Sequence, residues 1–206
     1  MKKYGCILAS LFLMLSACNE NELDKTIFIP DSDDSNLPAY TEWGYNSFGA
    51  QYERLYFVAT NAVVPCKITY RNGFLNFHLI GNAVGSPGMG YYSAEDMMLT
   101  FTFPSSPMND YKDLVALDNT VIDLTSEACI LKMEKDGKGT TIVPLEGRLF
   151  FKRAQLLRID GEENRVILSG YFDVKFLNSN NWPEAISNGR FDVGINKDFY
   201  QSPPVL

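Results

Sequence analysis

Residues 65–81 read PCKITYRNGFLNFHLIG. At the centre, Asn72-Gly73 is a two-residue hairpin signal, because both residue types tolerate the positive φ that such a tight turn requires. A turn there pairs Arg71 with Phe74, Lys67 with His78, and Cys66 with Leu79. Side chains alternate between the two faces of a strand. One face therefore carries Cys66, Ile68, Tyr70, Leu75, Phe77 and Leu79, and the other carries Lys67, Thr69, Arg71, Phe74, Asn76 and His78. The first is a core face and the second a largely solvated one.

The same alternation returns in NRVILSGYFDVKF, residues 164–176. Val166, Leu168, Gly170, Phe172, Val174 and Phe176 share one face, while Arg165, Ile167, Ser169, Tyr171, Asp173 and Lys175 share the other. Its GYFDV segment is echoed by GRFDV at 189–193. Two five-residue strands fall short of a repeat architecture, so a repeated core-facing Phe-x-Val accounts for the echo. Turn signals recur along the chain in RNG, GNAVGSPGMG, PSSP, KDGKG, DGEEN and SNG, and aromatic residues make up 13% of it. No segment sustains a 3.6-residue apolar stripe. The pattern predicts an all-β antiparallel β-sandwich, with a closed β-barrel as the alternative. One short helical turn is expected near 109–117, in NDYKDLVAL.

The N-terminus carries an export pattern. Lys2 and Lys3 precede an uncharged apolar run from Ile7 to Leu15, then Ser16, Ala17 and Cys18. The run is shorter than the roughly 20 residues of a membrane-spanning helix, so residues 1–17 read as a signal peptide. Leu15-Ser16-Ala17-Cys18 resembles the lipobox of bacterial lipoproteins, and that resemblance implies lipidation of Cys18. Several acyl chains, at about 0.8 kcal/mol per buried methylene, would hold such a chain firmly on a membrane. Residues 18–38, with PDSDDSNLP at 30–38, read as a lipidated flexible tether ahead of a single domain at 39–206.

Charge narrows the partners. Losing residues 1–17 leaves 16 basic against 25 acidic residues, a net charge of −9. That balance argues against nucleic acid and against docking on anionic lipid. The membrane partner is expected through the lipid on Cys18. The acidic residues Glu20, Glu22 and Asp24 resemble an export tag of surface lipoproteins, which leaves the periplasmic face of the outer membrane and the cell surface both open.

Candidate chemistry is sparse. Asp31, Asp33, Ser35 and Glu42 match positions 1, 3, 5 and 12 of a calcium loop, yet Asn36 replaces the turn glycine and Pro38 interrupts it. His78 is the only histidine, which removes two- and three-His zinc sets, and no CxxC spacing occurs. No metal or cofactor is expected. Cys66 and His78 fall on opposite faces of the predicted hairpin, so they do not form a nucleophile–base pair. Cys66 and Cys129 both sit at core-facing positions. A disulfide between them and two separate buried thiols are alternatives at this stage. Asp173 and Asp192, both in F-D-V contexts, are the most visible acid pair for hydrolysis. Surface pairing with Lys175 and Arg190 is the plainer reading.

Gly81 to Tyr92 reads as a long loop without the Lys-Ser/Thr of a phosphate cradle, and it is the favoured contact surface. Trp43, Tyr45, Trp182 and the Tyr91-Tyr92 pair are candidates for stacking on sugar rings. Packing at the ends of the fold is the competing and favoured assignment, because aromatics dominate cores.

The segments PAYTEWGYNSFGA (38–50), NTVIDLTSEACI (119–130) and NGRFDVGI (188–195), together with the lipobox, resemble small Bacteroidetes cell-envelope lipoproteins of unknown function. The resemblance implies a β-sandwich at the outer membrane and brings no catalytic residues. The expected function is a non-catalytic, lipid-anchored module that binds a glycan, peptide or protein. An Asp/Glu hydrolase and an assembly subunit of a surface complex are the alternatives.

Overall fold

The computed structural model describes residues 23–59, 64–85, 95–159, 161–178 and 180–202. Residues 1–22, which include Cys18 and the segment expected as a signal peptide, and the Tyr91-Tyr92 pair lie outside them. The described chain is all-β with one helix. Its strands are β1 (Ser47–Tyr52), β2 (Leu55–Val58), β3 (Cys66–Arg71), β4 (Phe74–Gly85), β5 (Glu95–Pro104), β6 (Thr120–Asp123), β7 (Ile130–Lys135), β8 (Lys138–Ile159), β9 (Glu162–Leu177), β10 (Pro183–Ile195) and β11 (Tyr200–Gln201). The expected helical turn is a 3-10 helix, Tyr111–Leu117, closed by a capping box between Asp110 and Asp113.

The hairpin forms in the register expected from Asn72-Gly73: Arg71 faces Phe74, Lys67 faces His78 and Cys66 faces Leu79. Asn72 and Gly73 take φ of 54° and 83°, the left-handed pair that matches the twist of the flanking strands. A second such turn, Asp136-Gly137, joins β7 to β8.

The sheet closes on itself. Neighbours run β4-β2-β1-β10-β9-β8-β7-β5, and β5 returns to β4 from Phe74↔Pro104 to Ala83↔Glu95. The result is a closed eight-stranded antiparallel barrel, so the barrel alternative is supported rather than the sandwich. Both architectures show the same alternation, and what separates them is strand length and bending. β8 spans 22 residues with register shifts at Pro144/Glu146, Phe151/Arg153 and Leu157/Arg158. Such bulges coil a long strand until the sheet meets its own edge, which removes that edge altogether. The remaining strands attach outside the ring: β3 pairs the first half of β4, β11 pairs β3 in parallel, and β6 pairs β8.

Phenylalanines fill the interior. Phe77, Phe151 and Phe191 meet pairwise at ring-centroid distances of 5.0–5.6 Å, and Phe101 packs edge-on against Phe172 at 5.3 Å. Each fully buried ring contributes about 1.5–3 kcal/mol. The echo between GYFDV and GRFDV has a packing cause. The two segments lie side by side with Gly170 opposite Phe191 and Gly189 opposite Phe172. A Cβ on Gly189 would sit 2.6 Å from the Phe172 ring, and one on Gly170 would sit 1.9 Å from the Phe150 carbonyl oxygen. Each glycine leaves room for its partner's ring.

The polarity is the reverse of a membrane-spanning barrel. The inward side is apolar, whereas outward positions such as Lys132, Glu134, Arg153, Asp173 and Lys175 are charged. Among the described residues no helix is long and apolar enough to cross a membrane.

The segment expected as a flexible tether is corrected from residue 23 onward. It forms a strap that climbs the outside of β1, β9 and β10 and returns. Leu37 is fully buried, Asp31 pairs with Arg190, and Asp34 accepts hydrogen bonds from Gln51 and Tyr56. Asn46 and Arg165 both donate to the Leu23 carbonyl. The domain therefore begins by residue 23 rather than 39, because the polar side chains that read as solvated make bonds to the barrel.

Candidate ligand site at the barrel mouth

One end of the barrel collects the β1–β2, β7–β8 and β9–β10 turns. There the inward-facing residues change from phenylalanine to polar. Tyr52 from β1 donates its hydroxyl to Glu184 Oε2 at 2.7 Å, and Asn178 Nδ2 donates to Glu184 Oε1 at 2.7 Å. Lys135 from β7 sets its ammonium 4.0 Å from the Tyr52 ring centroid. Burial lowers the Lys135 pKa, opposed by Glu184 and Glu95, while burial and the Glu184 carboxylate push the Tyr52 phenol well up. Tyr52 is thus a neutral hydrogen-bond donor with its proton committed to Glu184.

A cleft of about 820 Å³ opens beside this group. Its walls include Met133, Thr140, Thr141, Phe176, Asn180 and Asn181, and that size falls within the range of small-molecule sites, about 300–1,000 Å³. Hydroxyls and carboxamides can each donate and accept, which suits a ligand that does both. Among the residues lining the cleft, Glu184 is the only acid.

Trp182 stands on the turn that leads into β10 and is 70% exposed. Its backbone is fixed at both ends: Trp182 N–H donates to Asn178 Oδ1 at 3.0 Å, and Trp182 carbonyl accepts from Asn178 N–H at 2.9 Å. Asn180 N–H reaches the same side-chain oxygen, and Asn181 takes φ of 60° to close the turn. The indole is therefore exposed on a turn that is already ordered, so little backbone freedom is lost when a ligand stacks on it. Strand β4 ends at Gly85 and β5 begins at Glu95 at this same end, whereas Tyr91 and Tyr92 fall outside the described residues. The expected loop starts later than Gly81, since β4 runs to Gly85.

The packing expected for the tryptophans is overturned: Trp43 is 72% exposed and Trp182 nearly as much. They lie apart. Trp43 N–H bonds to Asp192, nine residues along β10 from Pro183 at the mouth. Tyr45 is half-buried in the strap, where its carbonyl accepts from Ile27 N–H.

The other candidates resolve into structural roles. Asp192 is buried and is neither a surface ion pair nor half of an acid dyad. Its carboxylate accepts from the backbone N–H groups of Trp43, Gly44 and Tyr45 and from the hydroxyls of Thr41 and Ser169. Ser169 is its cross-strand partner, and Asp173 lies four residues further along β9. That separates the two acids by about 13 Å, beyond either glycosidase spacing. Lys175 pairs with Glu146 instead, and Arg190 with Asp31.

Cys66 and Cys129 are both free thiols, Cys66 buried and Cys129 partly so. Register forbids the bridge. Cys66 is level with Leu79, Leu99 and Met133 across successive strands, and Cys129 lies four residues before Met133. That offset alone is about 13 Å, beyond the roughly 7 Å Cα limit of a disulfide. His78 sits on the outer face, its Nδ1 2.9 Å from Thr100 Oγ1, with its pKa lowered by burial and by Lys67. Of the calcium-loop candidates, Asp31 accepts from Asp33 and Asp34 N–H and pairs with Arg190, and Glu42 accepts from Tyr40. Among the described residues no group of three or more His, Cys, Asp or Glu converges on a metal position.

Fold and site together define a closed antiparallel barrel with an apolar interior, a mouth of mixed polar and apolar lining, and an exposed indole on the turn beside it. No protein-family model, curated protein or solved structure matches this chain.

Sequence reasoning missed Tyr52, Lys135, Asn178 and Glu184, which come from four separate elements. The run Asn178-Ser179-Asn180-Asn181-Trp182 was the available signal, since amides crowded before an indole mark a built turn.

Proposed function

We propose that this chain is a lipid-anchored cell-envelope protein, held on the outer membrane through Cys18, that binds a glycan at the barrel mouth without transforming it. The observation that carries the reading is Trp182, exposed on an ordered turn whose Asn178, Asn180 and Asn181 line a cleft that also presents hydroxyls, one oriented carboxylate and apolar side chains such as Met133 and Phe176. A sugar ring offers an apolar face to an indole and a rim of hydroxyls that both donate and accept, which matches that lining. Glu184 is held by Tyr52 and Asn178 in an acceptor role, which suits a fixed ligand contact.

A glycan array probed with residues 18–206, followed by calorimetry on the hits, tests this. Trp182→Ala is expected to weaken binding about ten-fold, which corresponds to about 1.4 kcal/mol. Trp43→Ala is expected to leave it unchanged. Absence of any hit, or equal losses in the two variants, would refute the assignment.

A further inference from the structure

The strap inverts the usual polarity of a surface segment. Its hydrogen-bonding side chains turn toward the barrel: Asp31 to Arg190, Asp34 to Gln51 and Tyr56, Thr41 to Asp192, and Asn46 to the Gly194 N–H. Leu37 packs inward and is buried, whereas the strap's other large apolar side chains are partly exposed. Ile27, Phe28 and Ile29 are 42–48% exposed, Leu23 is 37% exposed, and Trp43 is 72% exposed. The two legs of the strap touch, since Ile27 N–H donates to the Tyr45 carbonyl and Ala39 N–H to the Ile29 carbonyl. Trp43 thus lies two residues from the Ile27 contact, which places it close along the strap to the exposed 27–29 segment. Five large apolar side chains exposed on one short segment are more than ordinary exterior carries and point to an interaction site.

We infer that this apolar side of the strap seats on the lipid bilayer, so that the barrel rests against the membrane with its mouth directed away. The inference rests on the lipid-anchor reading of Cys18. Only residues 19–22 separate Cys18 from Leu23, so even a fully extended connection reaches about 17 Å. That is too short to lift the strap clear of the lipid surface by more than its own width. Tryptophan beside aliphatic and phenyl groups is the composition of a membrane–water interface, where an indole sits at headgroup level. The chain is acidic overall, so apolar contact rather than attraction to anionic headgroups carries the seating. Trp43 and the mouth are separated by nine residues of β10, on the order of 30 Å along the strand, so a seated strap leaves the Trp182 cleft open to solvent.

The two tryptophans of the chain make the test direct. The probe is a neutral phosphatidylcholine vesicle containing dibrominated phosphatidylcholine and a small fraction of nickel-chelating lipid. The protein is residues 18–206 with Cys18→Ser and a hexahistidine tag ahead of residue 18, which tethers it at the anchor position whether or not cells lipidate it. With Trp182→Phe, the remaining Trp43 emission is expected to shift to the blue and to be quenched by the brominated lipid. With Trp43→Phe, the remaining Trp182 emission is expected to stay as in solution. Paired Ile27→Ser and Phe28→Ser substitutions, both at exposed positions, are expected to abolish the Trp43 quenching while Trp182 emission stays unchanged. Trp43 emission unaltered on vesicles that carry the protein through flotation would overturn the inference. Fatty-acid labelling of Cys18 in cells is scored separately. Quenched Trp43 with an unlabelled Cys18 defeats the anchor and upholds the lipid-binding side, whereas labelled Cys18 with unquenched Trp43 defeats the seating alone.

Discussion

Replacing Asp192 with alanine removes one acceptor group and strands five donors. Three are backbone N–H groups, of Trp43, Gly44 and Tyr45, and two are the hydroxyls of Thr41 and Ser169. A buried donor left without a partner costs about 1–3 kcal/mol. The hydroxyls can rotate toward other acceptors and water can enter from the strap's outer side, so the full sum is not realised. About 3–5 kcal/mol is expected, a large share of the roughly 5–15 kcal/mol that holds a typical domain. Asparagine preserves the shape but keeps one acceptor oxygen. Its least-conflicted orientation leaves the amide facing Gly44 N–H and Ser169, whose hydroxyl can turn to accept, so about 2–3 kcal/mol is expected. Urea unfolding followed by circular dichroism measures both. An exposed ion pair would be worth at most about 1 kcal/mol. Losses within that limit for both variants, with an unchanged denaturant slope, would refute the hub role of Asp192.

The remaining expectations are separable. Gly170→Ala places a Cβ 1.9 Å from the Phe150 carbonyl oxygen and should cost about 3 kcal/mol or more, whereas Gly139→Ala meets nothing within 4 Å and should stay within about 0.5 kcal/mol of the parent. Equal effects in the two would contradict the glycine–phenylalanine fit. Asp31 is held below its ordinary pKa of 3.8, chiefly by the Asp33 N–H against an opposing desolvation, with the Asp34 N–H and Arg190 adding to it. A depressed carboxylate stabilises above its unfolded pKa, and the contribution disappears as pH falls through the lower folded value. Acid titration of Trp43 emission should therefore show the strap loosening below about pH 3.8, more shallowly in Asp31→Asn; identical curves would count against this account. Thiol labelling of the folded protein should modify Cys129 before Cys66, whose buried thiol has a raised pKa, and a reductant should leave the melting temperature unchanged. A mass consistent with a Cys66–Cys129 bridge would contradict the register argument.

Local features were legible in the sequence wherever a local cause fixed them. Asn72-Gly73 dictated a left-handed turn, and that turn set the register and both faces of β3 and β4. The alternation in 164–176 marked Val166 to Phe176 as core. Barrel closure was not legible, because it depends on bulges such as Pro144/Glu146 and on β5 returning to β4, and neither leaves a periodic trace. The strap was misread for a related reason. PDSDDSNLP has the composition of a solvated linker, but Asp31 and Asp34 find Arg190, Gln51 and Tyr56 only after the chain has folded. Asp192 looked exposed by strand parity, and it is outward-facing. The strap lying over it is what buries it. For the mouth, the sequence supplied Trp182 but not its surroundings, since Tyr52, Lys135 and Glu184 converge from three different strands.

The most direct test of the central claim is a two-dimensional NMR titration of residues 18–206 with the glycan fragments selected by the array. Saturable shifts are expected at the Trp182 indole and at the amides of Asn178, Asn180, Asn181 and Glu184, with the Trp43 indole unmoved. Shifts confined to the strap or to the outer face around His78, or none at saturating ligand, would contradict it.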